Sequence, residues 1–151
     1  LPLFAEATQS DAKKIGIKVN LKNVDYNVID GMGKRGEGDL IISNVLTEQA
    51  GDPEVFINMY WKTNVNDSNP QNGSGYSNPE YDALSDQLAS EFDPAKRRDI
   101  IIKMEKILQD DAAILVFGYP QTNMVSNKAV QNANIYPCDY YWVTKEITPA
   151  K

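Results

Sequence analysis

The sequence contains no histidine and a single cysteine, Cys138. The first absence removes the commonest general base and the commonest metal ligand together. The second excludes an internal disulfide and leaves a thiol nucleophile without an imidazole partner. Cys138 therefore reads as a small, partly buried apolar residue. No apolar run approaches the roughly 20 residues that a membrane helix needs. No basic, apolar and small-residue leader opens the sequence, so any targeting signal is expected to lie outside it. Gly-rich phosphate loops, nucleophile elbows and metal-ligand spacings are likewise missing, and no cofactor is expected. Positive charge is scarce: 15 Lys and Arg stand against 21 Asp and Glu, giving a net charge of −6. The tightest basic group, Lys96-Arg97-Arg98, reads as a solvated helix face, and nucleic acid is not an expected partner.

What is present fits a single domain over residues 1–151, long enough to bury a core. Phe4, Ala7, Ala12 and Ile15 share one face of a helix running from Leu3 to Ile15, and Gly16 stands where a left-handed residue commonly ends one. From Ile17 to Val24 apolar and polar residues alternate, as in a strand with one face buried. A short helix follows at Tyr26 to Met32. Asp39 to Ser43 is then a continuous apolar run, expected of a strand covered on both sides. Helix and strand alternate, which points to an α/β fold with a mixed sheet flanked by helices. A strand usually feeds the first helix of such a unit, so one is expected upstream.

Three further helices are marked at their starts. Asp52-Pro53, Asn78-Pro79 and Asp93-Pro94 each place a side-chain acceptor at the N-cap and a proline at the first helical position. Such a cap is worth roughly 1 kcal/mol. The second of these helices is expected to bury Tyr81, Leu84 and Leu88; the third, Ile100, Met104, Ile107 and Leu108. Strands are expected again at Ala113–Tyr119, Asn123–Ser126 and Tyr140–Thr144. The stretch from Lys62 to Ser77 is rich in Asn, Ser and Gly, and its length indicates either function or disorder.

Two places could hold a ligand. The loop from Asn44 to Gly51 leaves the carboxyl end of the buried strand, where open α/β sheets gather ligands. Its Asn44, Thr47, Glu48 and Gln49 supply donors, acceptors and one charge. Tyr76, between Gly75 and Ser77, is the aromatic residue best placed to face a ligand. Asp52 already has an N-cap role, which makes it the weaker ligand candidate.

These pieces, in this order, resemble the family 5 extracellular solute-binding proteins of ABC importers, which bind peptides, nickel complexes and related solutes. The carrying motifs are Ala12-Lys13-Lys14-Ile15-Gly16-Ile17-Lys18-Val19 and Gly38-Asp39-Leu40 running into Gly51-Asp52-Pro53. Further on come Gly75-Tyr76-Ser77-Asn78-Pro79-Glu80-Tyr81-Asp82 and Asp93-Pro94-Ala95-Lys96-Arg97-Arg98. The resemblance implies a periplasmic-binding-protein-like (type II) fold, of which the chain forms most of the C-terminal lobe. It further implies a partner lobe in the same protein, a membrane permease, and an extracytoplasmic location with a lipid anchor as one option.

Peptide binders of this family commonly carry an Asp three residues before the acidic residue of the Asp-Pro pair. Here that position is Gln49, with Glu48 adjacent, and Asn44-Val45 replaces the aromatic expected at the start of the loop. Either Glu48 substitutes for the carboxylate or the solute is not a simple peptide. A nickel complex is the alternative, with the metal held in a chelator or by the other lobe. Two further readings are a sensory module and a carboxylate-based hydrolase. The hydrolase requires Glu48 and Asp52 to face one open groove, and is disfavoured if Asp52 caps its own helix.

Overall fold

The computed structural model describes residues 1–44, 51–119, 121, 123–136 and 143–150, apart from the side chains of Tyr26 and Asp30. The chain divides into two compact units, Leu1–Leu115 and Val116–Lys151. The first unit is helical. Its elements are α1 (Pro2–Lys14), α2 (Tyr26–Lys34), α3 (Pro53–Trp61), α4 (Pro79–Ser90) and α5 (Pro94–Asp110).

Local chemistry starts these helices where the sequence indicates. Asp52 Oδ1 accepts the Glu54 amide at 2.9 Å. Asn78 Oδ1 accepts from Glu80 and Tyr81 at 2.9 and 3.2 Å. Asp93 Oδ1 accepts from Ala95 and Lys96 at 2.9 and 3.1 Å. Each bond satisfies a backbone donor that has no partner within its own helix. Asp25 caps α2 in the same way.

Three helices end alike. The amides of Ile17, Glu37 and Ala113 reach back to the carbonyls of Ala12, Met32 and Leu108 at 3.0, 2.9 and 2.9 Å. Such closure places the preceding residue in the left-handed region. Glycine fills that place at Gly16 and Gly36, but Ala112 holds φ 51° with a Cβ attached.

The core lies among α3, α4 and α5. It comprises Ile57 and Trp61, Tyr81 and Leu88, then Ile100, Met104 and Leu108. The expected faces recur, with Leu84 and Ile107 only partly buried against this cluster. Ser85 is fully buried instead, and its hydroxyl donates to Asn58 Oδ1 at 2.8 Å. Phe56, Tyr60 and Trp61 group their rings at centroid distances of 5.0 to 5.7 Å.

The expected strands fare differently. Among the described residues, Ile17–Val24, Asp39–Ser43, Ala113–Tyr119 and Asn123–Ser126 carry no ladder. Alternation states which face of a strand would be buried, but a strand also needs a neighbour for its N–H and C=O groups. Among the described residues no strand pairs with these segments, and Leu40 and Leu115 are 78% and 74% exposed. The expected face of α1 stays out of the core, and none of its residues is buried. The last expected strand, Tyr140–Thr144, and Cys138 lie largely or wholly outside the described residues.

The second unit holds one antiparallel pair, β1 (Val130–Gln131) and β2 (Thr148–Pro149), registered Val130 to Pro149 and Gln131 to Thr148. Asn132, at φ 60°, donates from its side chain to the Glu146 carbonyl at 3.0 Å. Tyr136 donates its hydroxyl to Glu146 Oε2 at 3.0 Å. Among the described residues, no helix is long and apolar enough to cross a membrane.

Candidate functional site

The candidate ligand loop meets α3 at Gly51–Asp52, and that junction is built from three helices. Asp52 is fixed by its N-cap bond and by Arg97 of α5. Arg97 Nη2 faces Asp52 Oδ1 at 3.0 Å, Asp52 Oδ2 at 2.8 Å and Glu54 Oε2 at 2.9 Å. Its Nη1 donates to the carbonyls of Leu88 and Glu91 at 2.9 and 2.8 Å. One planar guanidinium thus joins the start of α3 to the end of α4, which suits its fork of fixed donors. The contact with Glu54, then that with Asp52, holds the Arg97 pKa above its ordinary value.

This corrects the expected solvated face. Lys96 and Arg98 are exposed, but the Arg97 side chain is only 18% exposed. A signal was available: Arg97, Ile100, Met104 and Leu108 fall on one stripe of α5, so Arg97 shares the register of the core. Both oxygens of Asp52 are engaged, which weighs against its use as one half of a hydrolytic carboxylate pair.

The stretch after α3 is an ordered loop held by side-chain amides. Asn69 Nδ2 donates to the carbonyls of Asn58 and Lys62 at 2.9 and 2.6 Å. Asn72, only 5% exposed, donates to those of Lys62 and Tyr76 at 3.0 and 2.8 Å. Asn66 and Asp67 take φ values of 51° and 62° inside a turn closed by the Ser68 amide on the Val65 carbonyl at 3.0 Å. Short polar side chains tolerate that region best. The ends of the loop meet where the Thr63 hydroxyl lies 3.1 Å from that of Ser77. This is the form of an Ω-loop, closed at its ends and held by its own side-chain amides.

Tyr76 closes the loop against the end of α5. Its hydroxyl donates to Asp111 Oδ2 at 2.6 Å, and Asn78 Nδ2 donates to the same oxygen at 2.8 Å. Its ring stands edge-on to Tyr81 at 5.9 Å and 89°. Burial first, then the Asp111 carboxylate, pushes the Tyr76 hydroxyl up to about 12. The hydrogen bonds from Tyr76 and Asn78 hold Asp111 below the usual carboxylate range. The Tyr81 hydroxyl donates to the Ile57 carbonyl at 3.0 Å and is likewise pushed up, chiefly by burial. Of the other expected site residues, Asn44 is exposed; Val45, Thr47, Glu48 and Gln49 lie outside the described residues. No group of three or more acidic or cysteine side chains suited to a metal occurs among the described residues.

Comparison with known proteins defines a class. No protein-family model matches the chain. The chain is 34% identical over 129 residues to a probable D,D-dipeptide-binding periplasmic protein of Escherichia coli strain K12, a match covering 85% of this chain and 24% of that protein. It is 28% identical over 149 residues to a nickel-binding protein of Staphylococcus aureus, covering 98% and 29%. To a dipeptide-binding protein of Bacillus subtilis strain 168 it is 30% identical over 139 residues, covering 91% and 24%. The chain spans about a quarter of the length of these relatives. Over most of its own length it is similar to dipeptide- and nickel-binding proteins, which bears out the resemblance to the family 5 extracellular solute-binding proteins.

Proposed function

We propose that residues 1–151 form most of the C-terminal ligand-binding lobe of a solute-binding protein that delivers a peptide or similar small solute to an ABC importer. The observation that carries this reading is similarity, over 85% to 98% of the chain, to proteins named for binding a D,D-dipeptide, nickel or a dipeptide. The solute is clasped between this lobe and an N-terminal lobe of the same protein, and the loaded form docks on the membrane permease. The location is extracytoplasmic, in the periplasm or on the cell surface, with a lipid anchor as one means of attachment. The role is binding and not catalysis, consistent with relatives that are themselves binding proteins and with an Asp52 carboxylate committed to Arg97 and its own helix.

In this reading Asn44, Val45, Thr47, Glu48 and Gln49 line the cleft from the loop preceding α3. Loops carry such specificity because a rigid scaffold positions them. Tyr76 has its hydroxyl engaged with Asp111, so what it offers a solute is an aromatic surface. A nickel complex is the second reading, favoured by the nickel-binding relative and by Gln49 in place of the Asp of peptide binders.

Isothermal titration of the protein carrying this chain, both lobes present, separates these readings. Dipeptides of L,L and D,D configuration, tripeptides and nickel chelates are the titrants. Binding at about micromolar Kd or tighter, on the order of −8 kcal/mol, is expected for one class. The absence of such binding across all of them overturns the transport reading.

A further inference from the structure

We propose that Arg97 is a positioning residue for the candidate ligand loop, holding the junction Gly51–Asp52 against the end of α4. The inference rests on the reading that the loop entering α3 touches the solute, and it adds a residue distant in sequence from that loop.

The Asp52 cap by itself is local. The bond from the Glu54 amide to Asp52 Oδ1 orients the first turn of α3, but the two residues are neighbours and cannot locate that turn within the unit. Arg97 does locate it. It lies 45 residues from Asp52 and grips both the N-cap and Glu54 in the first turn of α3. With its other nitrogen it grips the Leu88 and Glu91 carbonyls where α4 ends. These partners come from two separate helix ends, and the guanidinium is set from a third helix whose own start is capped by Asp93. Exposed ion pairs contribute little. This one differs in that the Arg97 side chain is mostly withdrawn from water, although Asp52 is 43% exposed, and that the same guanidinium also donates to two backbone carbonyls.

Lysine cannot replace it. An ammonium is a point charge with three donors and cannot span two carbonyls and two carboxylates in one plane. Charge alone is therefore not what the junction needs.

The test uses the full-length protein carrying this chain, with Arg97→Ala, Arg97→Lys and, as a control, Leu108→Ala. Leu108 is buried in the same core and makes no contact with Arg97 in the clasp described above. Hydrogen exchange without ligand should be roughly tenfold faster over residues 51–56 in both Arg97 variants, with a much smaller change over 81–88 and 100–108. Leu108→Ala should instead raise exchange across the whole α3–α5 core. Titration with L-Ala-L-Ala, D-Ala-D-Ala and a nickel–histidine chelate, well below every melting temperature, should then show a Kd raised about tenfold in the Arg97 variants and little changed in Leu108→Ala. Uniform exchange in Arg97→Ala, full rescue by lysine, or a loosened junction with unchanged Kd each overturn the proposal. Selective loosening at 51–56 with no binding of any titrant by the unaltered protein counts against the solute reading, and leaves Arg97 holding a junction that serves something else.

Discussion

Gly33 in α2 lies against Gly73 in the Ω-loop so closely that a Cβ on Gly33 would stand 2.6 Å from the Gly73 carbonyl oxygen. The contact is backbone to backbone, so no side chain can swing aside to relieve it. Alanine in a helix interior ordinarily gains about 1 kcal/mol over glycine. Here the overlap should reverse the sign, and Gly33→Ala should lose roughly 1–3 kcal/mol. Gly31 in the same helix is the internal comparison, since its Cβ would meet only the Arg35 guanidinium, at 3.2 Å. Gly31→Ala should be neutral or stabilising by up to about 1 kcal/mol. Urea melts of both variants decide the matter, and equal effects would refute the close approach.

Ala112 occupies a left-handed position that glycine fills at the ends of α1 and α2. A Cβ in that region costs roughly 1–2 kcal/mol, partly offset because glycine gives the unfolded chain more freedom. Ala112→Gly should therefore stabilise by about 0.5–1 kcal/mol. A lower urea midpoint in this variant would contradict the observed closure of α5.

Tyr76 and Asp111 give a titration with a defined sign. The folded state raises the Tyr76 pKa to about 12 from an ordinary value of 10.0, so it favours the protonated hydroxyl. The stability this contributes is complete below pH 10.0 and is lost as pH rises towards about 12. For Asp111 the folded state favours the carboxylate, so its contribution is present above the usual value of 3.8 and fades at more acid pH. Phenolate absorbance, compared between the unaltered protein and Tyr76→Phe, should yield a difference titration centred near 12. A midpoint near the ordinary tyrosine value would contradict both the burial of the hydroxyl and its bond to Asp111.

Met104 is fully buried at the centre of α5, whereas Ile102 two residues earlier is 50% exposed. Met104→Ala should cost roughly 2–5 kcal/mol. Ile102→Ala should stay within about 0.5 kcal/mol. Comparable losses in thermal melts would place the core elsewhere.

Asn72 ties two parts of the Ω-loop together from a buried position, through the Lys62 and Tyr76 carbonyls. Removing its amide should cost roughly 1–3 kcal/mol, since buried acceptors lose their donor. Asn72→Ala should also speed proteolysis between Lys62 and Ser77. Unchanged cleavage there would mean that Asn69 suffices to hold the loop.

Much of this was legible in the sequence because it is local. A cap joins residues two or three apart, so Asp52, Asn78 and Asp93 mark their helices without reference to the rest of the chain. Gly16 ends α1 by the same short-range geometry. The stripe through Ile100, Met104 and Leu108 follows from helical period alone. Tertiary structure decided whatever joins distant residues. Alternation along Ile17–Val24 could not supply a neighbouring strand, and a ladder exists only where one is present. Helical period sets Arg97 on the stripe of Ile100, Met104 and Leu108 and turns Lys96 and Arg98 away from it, but that Arg97 meets Asp52 and Glu54 follows only from the fold. The sequence marks Tyr76 as the aromatic residue best placed to face a ligand, but that Asp111, 35 residues away, holds its hydroxyl follows only from the fold. Local bonding thus set where the helices begin and end, while the long-range pairing of a guanidinium with carboxylates and carbonyls set how the junction beside the candidate loop is built.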